Sequence, residues 1–177
     1  MVCGLDDSVI LEQGRITRRQ IHQERSMMPR PTPQDFITWT KALAQFPWPI
    51  ELNDFAPYAE QLGWKPTPLP DEFSVCDDSD VEDVTLGVVR SEEICDFSLV
   101  IARNETEDDE GAAELNDVFV SCVAALKKEW GESFLLEAGK EPAVSWRLPG
   151  GAFVQVTGGF TAILFQFITP QGWWYFT

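Results

Sequence analysis

Histidine and basic residues are scarce in this sequence, and long apolar runs do not occur in it. There is one histidine, His22, and there are 13 lysines and arginines against 29 aspartates and glutamates, so the formal charge is −16 over 177 residues. A phosphate backbone needs a basic surface, so this charge argues against a nucleic-acid partner. It also argues against an anionic membrane surface. No run approaches the roughly 18 apolar residues of a membrane span.

The first residues lack the features of a signal peptide. The apolar stretch at 9–11 is too short, and Asp6 and Asp7 lie where a signal peptide carries positive charge. We therefore expect a cytoplasmic protein. The four cysteines are far apart, form no C-x-x-C motif, and are predicted to be free thiols in a reducing compartment. They are Cys3, Cys76, Cys95 and Cys122.

Motifs of known enzyme chemistry are missing from the sequence. His22 alone gives no basis for a Ser-His-Asp or Cys-His pair, and there is no G-x-S-x-G, H-E-x-x-H, P-loop or G-x-G-x-x-G motif. A pair of catalytic carboxylates needs no signature, so a hydrolase of that kind stays open. Residues 78–82 alternate oxygen ligands as a calcium loop does, but Asp83 replaces the sharp-turn glycine and no glutamate closes the loop. We expect no enzyme, no metal and no cofactor.

Apolar periodicity predicts a single α+β domain over residues 31–177. Spacings of three and four predict a helix after Thr32 and Pro33, a short helix that ends at Gly63, and a long helix over 110–130 with Val118 on its buried side. β-branched runs predict strands at 73–76, 84–90, 94–102, 144–148, 152–156 and 161–168, with glycine pairs in the later turns. The order, roughly ααβββαβββ, predicts an antiparallel sheet with helices packed on one face.

The first 30 residues differ from the rest, because no apolar periodicity runs through them. We expect a flexible N-terminal extension at 1–30, or a poorly packed helix near residues 16–26. Codons that can encode Gln23 and Glu24 contain a ribosome-binding sequence just before Met27. A start at Met27 or Met28 is therefore an alternative to the start at residue 1.

Two segments of the sequence are densely acidic. One interpretation is that both are solvated loop faces. The other is that they steer and dock a basic partner. The candidate binding carboxylates are Asp77, Asp78, Asp80, Glu82 and Asp83 in the first segment, and Glu107, Asp108 and Asp109 in the second.

Seven tryptophans are the second unusual feature. Trp39 and Trp130 fall on the apolar stripes of predicted helices and are expected in the core. Trp173 and Trp174 are adjacent, so on a strand they would point to opposite faces. One of them would then face away from the core side, either as an anchor for a partner or beneath a helix or the N-terminal extension.

The stretch FPWPIELNDFAPYAEQLGWKPTP at 46–68 resembles a family of uncharacterised small acidic bacterial proteins, in which a tryptophan precedes a short helix ending in Gly-Trp. Trp48, Asp54, Ala59, Gly63 and Trp64 carry the match. The middle strands, the helix at 110–130 and Trp146 fit the same layout, so the resemblance spans 35–168. The N-terminal extension and the aromatic C terminus depart from it.

Such families are similar in size and charge to the immunity proteins of polymorphic secreted toxins. Those proteins are cytoplasmic, acidic and non-catalytic, and each blocks the active site of a toxin encoded beside it. The resemblance therefore implies a role in interbacterial competition, of the kind that type VI secretion serves, but it carries over no functional residue.

Charge, aromatic content and resemblance together predict a cytoplasmic immunity protein. It would bind a cognate toxin with a basic surface and occlude the toxin's active site, through the two acidic segments together with Trp173 and Trp174. The alternative is an acidic secretion chaperone or adaptor that holds an effector protein.

Overall fold

The computed structural model describes residues 31–75, 84–88 and 92–176. Its helices and strands alternate in blocks along the chain. The helices are α1 (Pro33–Leu43), α2 (Ala56–Gln61) and α3 (Asp109–Trp130), with 3-10 helices at Leu52–Asp54, Pro149–Gly151 and Pro170–Phe176. The strands are β1 (Lys65–Pro66), β2 (Glu72–Ser74), β3 (Val84–Val88), β4 (Ile94–Arg103), β5 (Leu135–Glu137), β6 (Ala143–Arg147), β7 (Phe153–Thr157) and β8 (Ala162–Ile168).

All eight of these strands join one antiparallel sheet in the order β1-β2-β3-β4-β8-β7-β6-β5. This confirms the predicted α+β class. The two end strands, β1 and β5, were not predicted, because neither contains a β-branched residue. The longest strands, β4 and β8, pair at the centre of the sheet.

Helix α1 begins where the sequence predicts. The Thr32 hydroxyl accepts a hydrogen bond from the Asp35 N–H, and the Asp35 carboxylate accepts one from the Thr32 N–H, which is a capping box. Pro33 occupies the first turn. The helix buries Phe36 and Leu43, and the Phe36 ring stacks on Phe165 of β8 at 4.7 Å between centroids.

Helix α3 crosses the same face of the sheet and contacts β4, β7, β8 and α1. It buries Leu115, Cys122 and Leu126 and ends at Gly131, whose φ of 81° suits glycine. The prediction that Val118 is buried was wrong, because Val118 lies on the flank of the apolar stripe and 37% of it is exposed.

The two faces of the sheet differ because side chains alternate along each strand. Phe97, Phe165 and Val154 point to the core beneath α1 and α3. The opposite face, here called the open face, carries a row of cross-strand polar partners. In order across four strands these are Ser98, Gln166, Gln155 and Ser145. Gln166 Nε2 donates to Ser98 Oγ at 3.2 Å, and Gln155 Nε2 donates to Ser145 Oγ at 3.0 Å.

The C-terminal aromatic stretch does not form a strand, so the condition under which Trp173 and Trp174 would point to opposite faces is not met. Residues Pro170–Phe176 form a 3-10 helix, here called the tryptophan turn. Thr169 turns the chain, because its N–H donates to Cys95 O at 2.9 Å and its hydroxyl donates to Ile94 O at 2.9 Å. Gly172 then packs so closely that a Cβ there would lie 2.5 Å from Cys95 O.

Candidate functional site

The most strongly charged region of the described chain lies where β4 ends. The loop after Arg103 carries Glu105, Glu107 and Asp108, and the first turn of α3 carries Asp109 and Glu110. All five are exposed. The hairpin between β7 and β8 lies beside this loop and presents Phe160. We call these five carboxylates together with Phe160 the acidic end.

Asn104 holds the acidic end together. It is buried, with 6% of its surface exposed. Its Nδ2 donates to Asp108 O at 3.0 Å and to Phe160 O at 3.1 Å. Its Oδ1 accepts from the Glu107 N–H at 3.0 Å. One side chain therefore fixes both the acidic loop and the tip of the hairpin.

Phe160 is the apolar member of the acidic end. Its side chain is 49% exposed although its backbone carbonyl is fixed by Asn104. An aromatic side chain presented to solvent on a fixed backbone loses little conformational freedom on binding, which favours it as an anchor in a protein interface. Sequence reasoning missed Phe160. The available signal was an aromatic residue directly after the glycine pair of a predicted hairpin.

The loop carboxylates lie at the amino end of α3, where the helix dipole favours negative charge. Asp108 is the N-cap, and its Oδ1 accepts from the Gly111 N–H at 2.8 Å and from the Thr106 hydroxyl at 2.9 Å. The Gly111 N–H and then the Thr106 hydroxyl hold the pKa of the Asp108 carboxyl below its ordinary value of 3.8. Asp108 therefore has a structural role as well as a charge.

The structure does not bring all the predicted site residues together. Glu107, Asp108 and Asp109 lie at the acidic end. Asp77, Asp78, Asp80, Glu82 and Asp83 lie outside the described residues. Trp173 and Trp174 lie at the other end of β4, since Gly172 packs against the carbonyl of Cys95. The ten residues of β4 separate the two ends by about 30 Å.

The two tryptophan side chains of the tryptophan turn are both exposed, and they do not lie on opposite faces of a strand. Trp173 is 58% exposed and Trp174 is 45% exposed. The turn covers Ile168 of the open face, because Gly172 lies against the Ile168 side chain. One of the two tryptophans was expected to face away from the core, and both of them are exposed. They lie on a 3-10 helix and not on the strand that the expectation assumed.

The predicted core tryptophans lie in the core or at its edge. Trp39 and Trp130 are half-buried and pack against the buried cluster. Trp64 and Trp146 are more deeply buried than these two. Trp146 Nε1 donates a hydrogen bond to Gly131 O at 3.0 Å. This bond ties β6 to the end of α3.

Three observations in the described part of the chain concern metal ions, cavities and thiol chemistry. Within 31–75, 84–88 and 92–176, His, Cys, Asp and Glu form no group of three or more that could hold a metal ion. A cavity of about 10 Å³ lies among Trp39, Trp64, Phe165 and other apolar side chains, which is room for about one water. Burial raises the pKa of the Cys122 thiol to about 11.

None of the helices in the described ranges is long and apolar enough to cross a membrane. Fold and site together define an α+β protein with a helix-covered antiparallel sheet and an acidic end that carries an exposed aromatic side chain. Residues 34–169 match the model of DUF6301, a family of unknown function, and the chain belongs to that family. No curated protein and no solved structure matches the chain.

Proposed function

We propose that this protein is a cytoplasmic immunity protein, which binds a cognate secreted toxin and occludes the toxin's active site. The observation that carries the proposal is the construction of the acidic end. A fixed, half-exposed Phe160 lies beside five exposed carboxylates. A buried aromatic anchor with a charged rim is the arrangement that gives protein interfaces both affinity and fast association.

The charge of the acidic end supports a basic partner. Between Arg103 and Lys127 the sequence has no lysine or arginine. A cluster of this kind raises the association rate with a positively charged cleft, such as the substrate site of an enzyme that acts on phosphates or nucleotides. The toxin would present its basic cleft to the loop, and Phe160 would enter it.

The direct test is co-expression with the neighbouring upstream open reading frame, scored by host survival. A neighbour that kills alone and is tolerated with this protein supports the proposal. Failure of this protein to rescue the host, or to bind any product of its own operon, contradicts it.

Variants sharpen this test. Phe160→Ala should weaken toxin binding tenfold or more, since anchors of this type contribute about 2 kcal/mol or more. Glu107→Lys should slow association and make it less sensitive to salt. Glu60→Lys, which makes the same charge change on α2, is the matched control and should bind as the wild type does. Equal effects of Glu107→Lys and Glu60→Lys would show that only net charge matters.

A secretion chaperone or adaptor is the second candidate, and the tryptophan turn favours it. Trp173 and Trp174 present aromatic surface about 30 Å from the acidic end, and such surface suits an apolar segment of an effector. A chaperone should bind a non-catalytic segment and leave toxin activity intact. Loss of that binding in Trp173→Ala, with Phe160→Ala unaffected, would select this function.

A further inference from the structure

We draw no further inference here: the strongest candidate, the exposed aromatic patch that Trp173 and Trp174 form on the tryptophan turn after β8, carries none because nothing in the described part of the chain shows what covers it.

Discussion

Replacement of Asn104 by alanine tests the construction of the acidic end. The side chain is buried and makes two hydrogen bonds as a donor, to Asp108 O and Phe160 O. As an acceptor it receives the Glu107 N–H, and the Thr106 hydroxyl lies 3.1 Å from its Oδ1. Alanine removes all of these contacts at once.

The expected loss of stability follows from the number of hydrogen bonds that the Asn104 side chain makes. Each contributes about 0.5–1.5 kcal/mol net, and the backbone groups left behind regain only partial contact with water. We expect Asn104→Ala to lower the free energy of unfolding by about 2–4 kcal/mol. Phe160 should then lose its fixed position, because its carbonyl loses the bond from Asn104 Nδ2.

The assay is urea unfolding followed by far-UV circular dichroism and tryptophan fluorescence. Coincident transitions by the two probes would show that unfolding is two-state, and an unchanged m-value would show that the variant exposes the same surface on unfolding. Asn53→Ala is the control, since Asn53 is exposed and makes one long bond of 3.4 Å, to Glu92. It should change stability by less than about 0.5 kcal/mol. A loss in Asn104→Ala no larger than in this control would refute the idea that Asn104 organises the acidic end.

Three further predictions concern helix α3 and its neighbours. Gly111→Ala should destabilise the protein although alanine favours helix by about 1 kcal/mol, because its Cβ would lie 2.0 Å from Asn104 Oδ1; a higher denaturation midpoint would contradict this. Trp146→Phe should cost about 2 kcal/mol, from the lost bond to Gly131 O and the volume removed; thermal unfolding measures it, and an unchanged melting temperature would count against it. Because the pKa of Cys122 is raised, the folded state retains the thiol proton to a higher pH than the unfolded state does, so the free energy of unfolding should fall as pH rises from 9.0 to about 11. Cys122→Ala should lose this pH dependence. If the variant kept it, another group would be its cause.

The central part of the fold was predictable because its elements are long. β4 and β8 extend over ten and seven residues, and α3 over 22, so each shows several periods of its pattern. Glycine pairs fixed the turns around β7. The same reasoning cannot find β1 or β5, which exist because a neighbouring strand offers hydrogen bonds and not because of their own pattern.

The tryptophan turn shows why local propensity does not decide the structure of the C terminus. Aromatic residues favour strands, so a strand was considered for Trp173 and Trp174. Two tertiary contacts decide otherwise. Thr169 bonds back to Ile94 and Cys95, and Gly172 fits against the Cys95 carbonyl where any side chain would collide. Both contacts join residues more than 70 positions apart, which is beyond the reach of a local pattern.

Only part of the acidic end was predicted from the sequence. The density of negative charge pointed to its carboxylates, but nothing pointed to Phe160. Phe160 joins Glu107 only because β8 pairs with β4 and Asn104 bridges the two connections. Sequence alone left two interpretations of the carboxylates, a solvated loop or a docking surface. The exposed Phe160 on a fixed backbone favours the second.

The distance between the two ends constrains how one partner could use them. A standard interface buries about 800 Å² on each partner, a patch roughly 32 Å across. If Phe160 lies at its centre, the patch extends about 16 Å and stops short of Trp173, about 30 Å away. Substitutions at Phe160 and Trp173 should therefore act on separate binding events, or additively on one. Strong coupling between them in a double-mutant cycle would require a partner that wraps along β4.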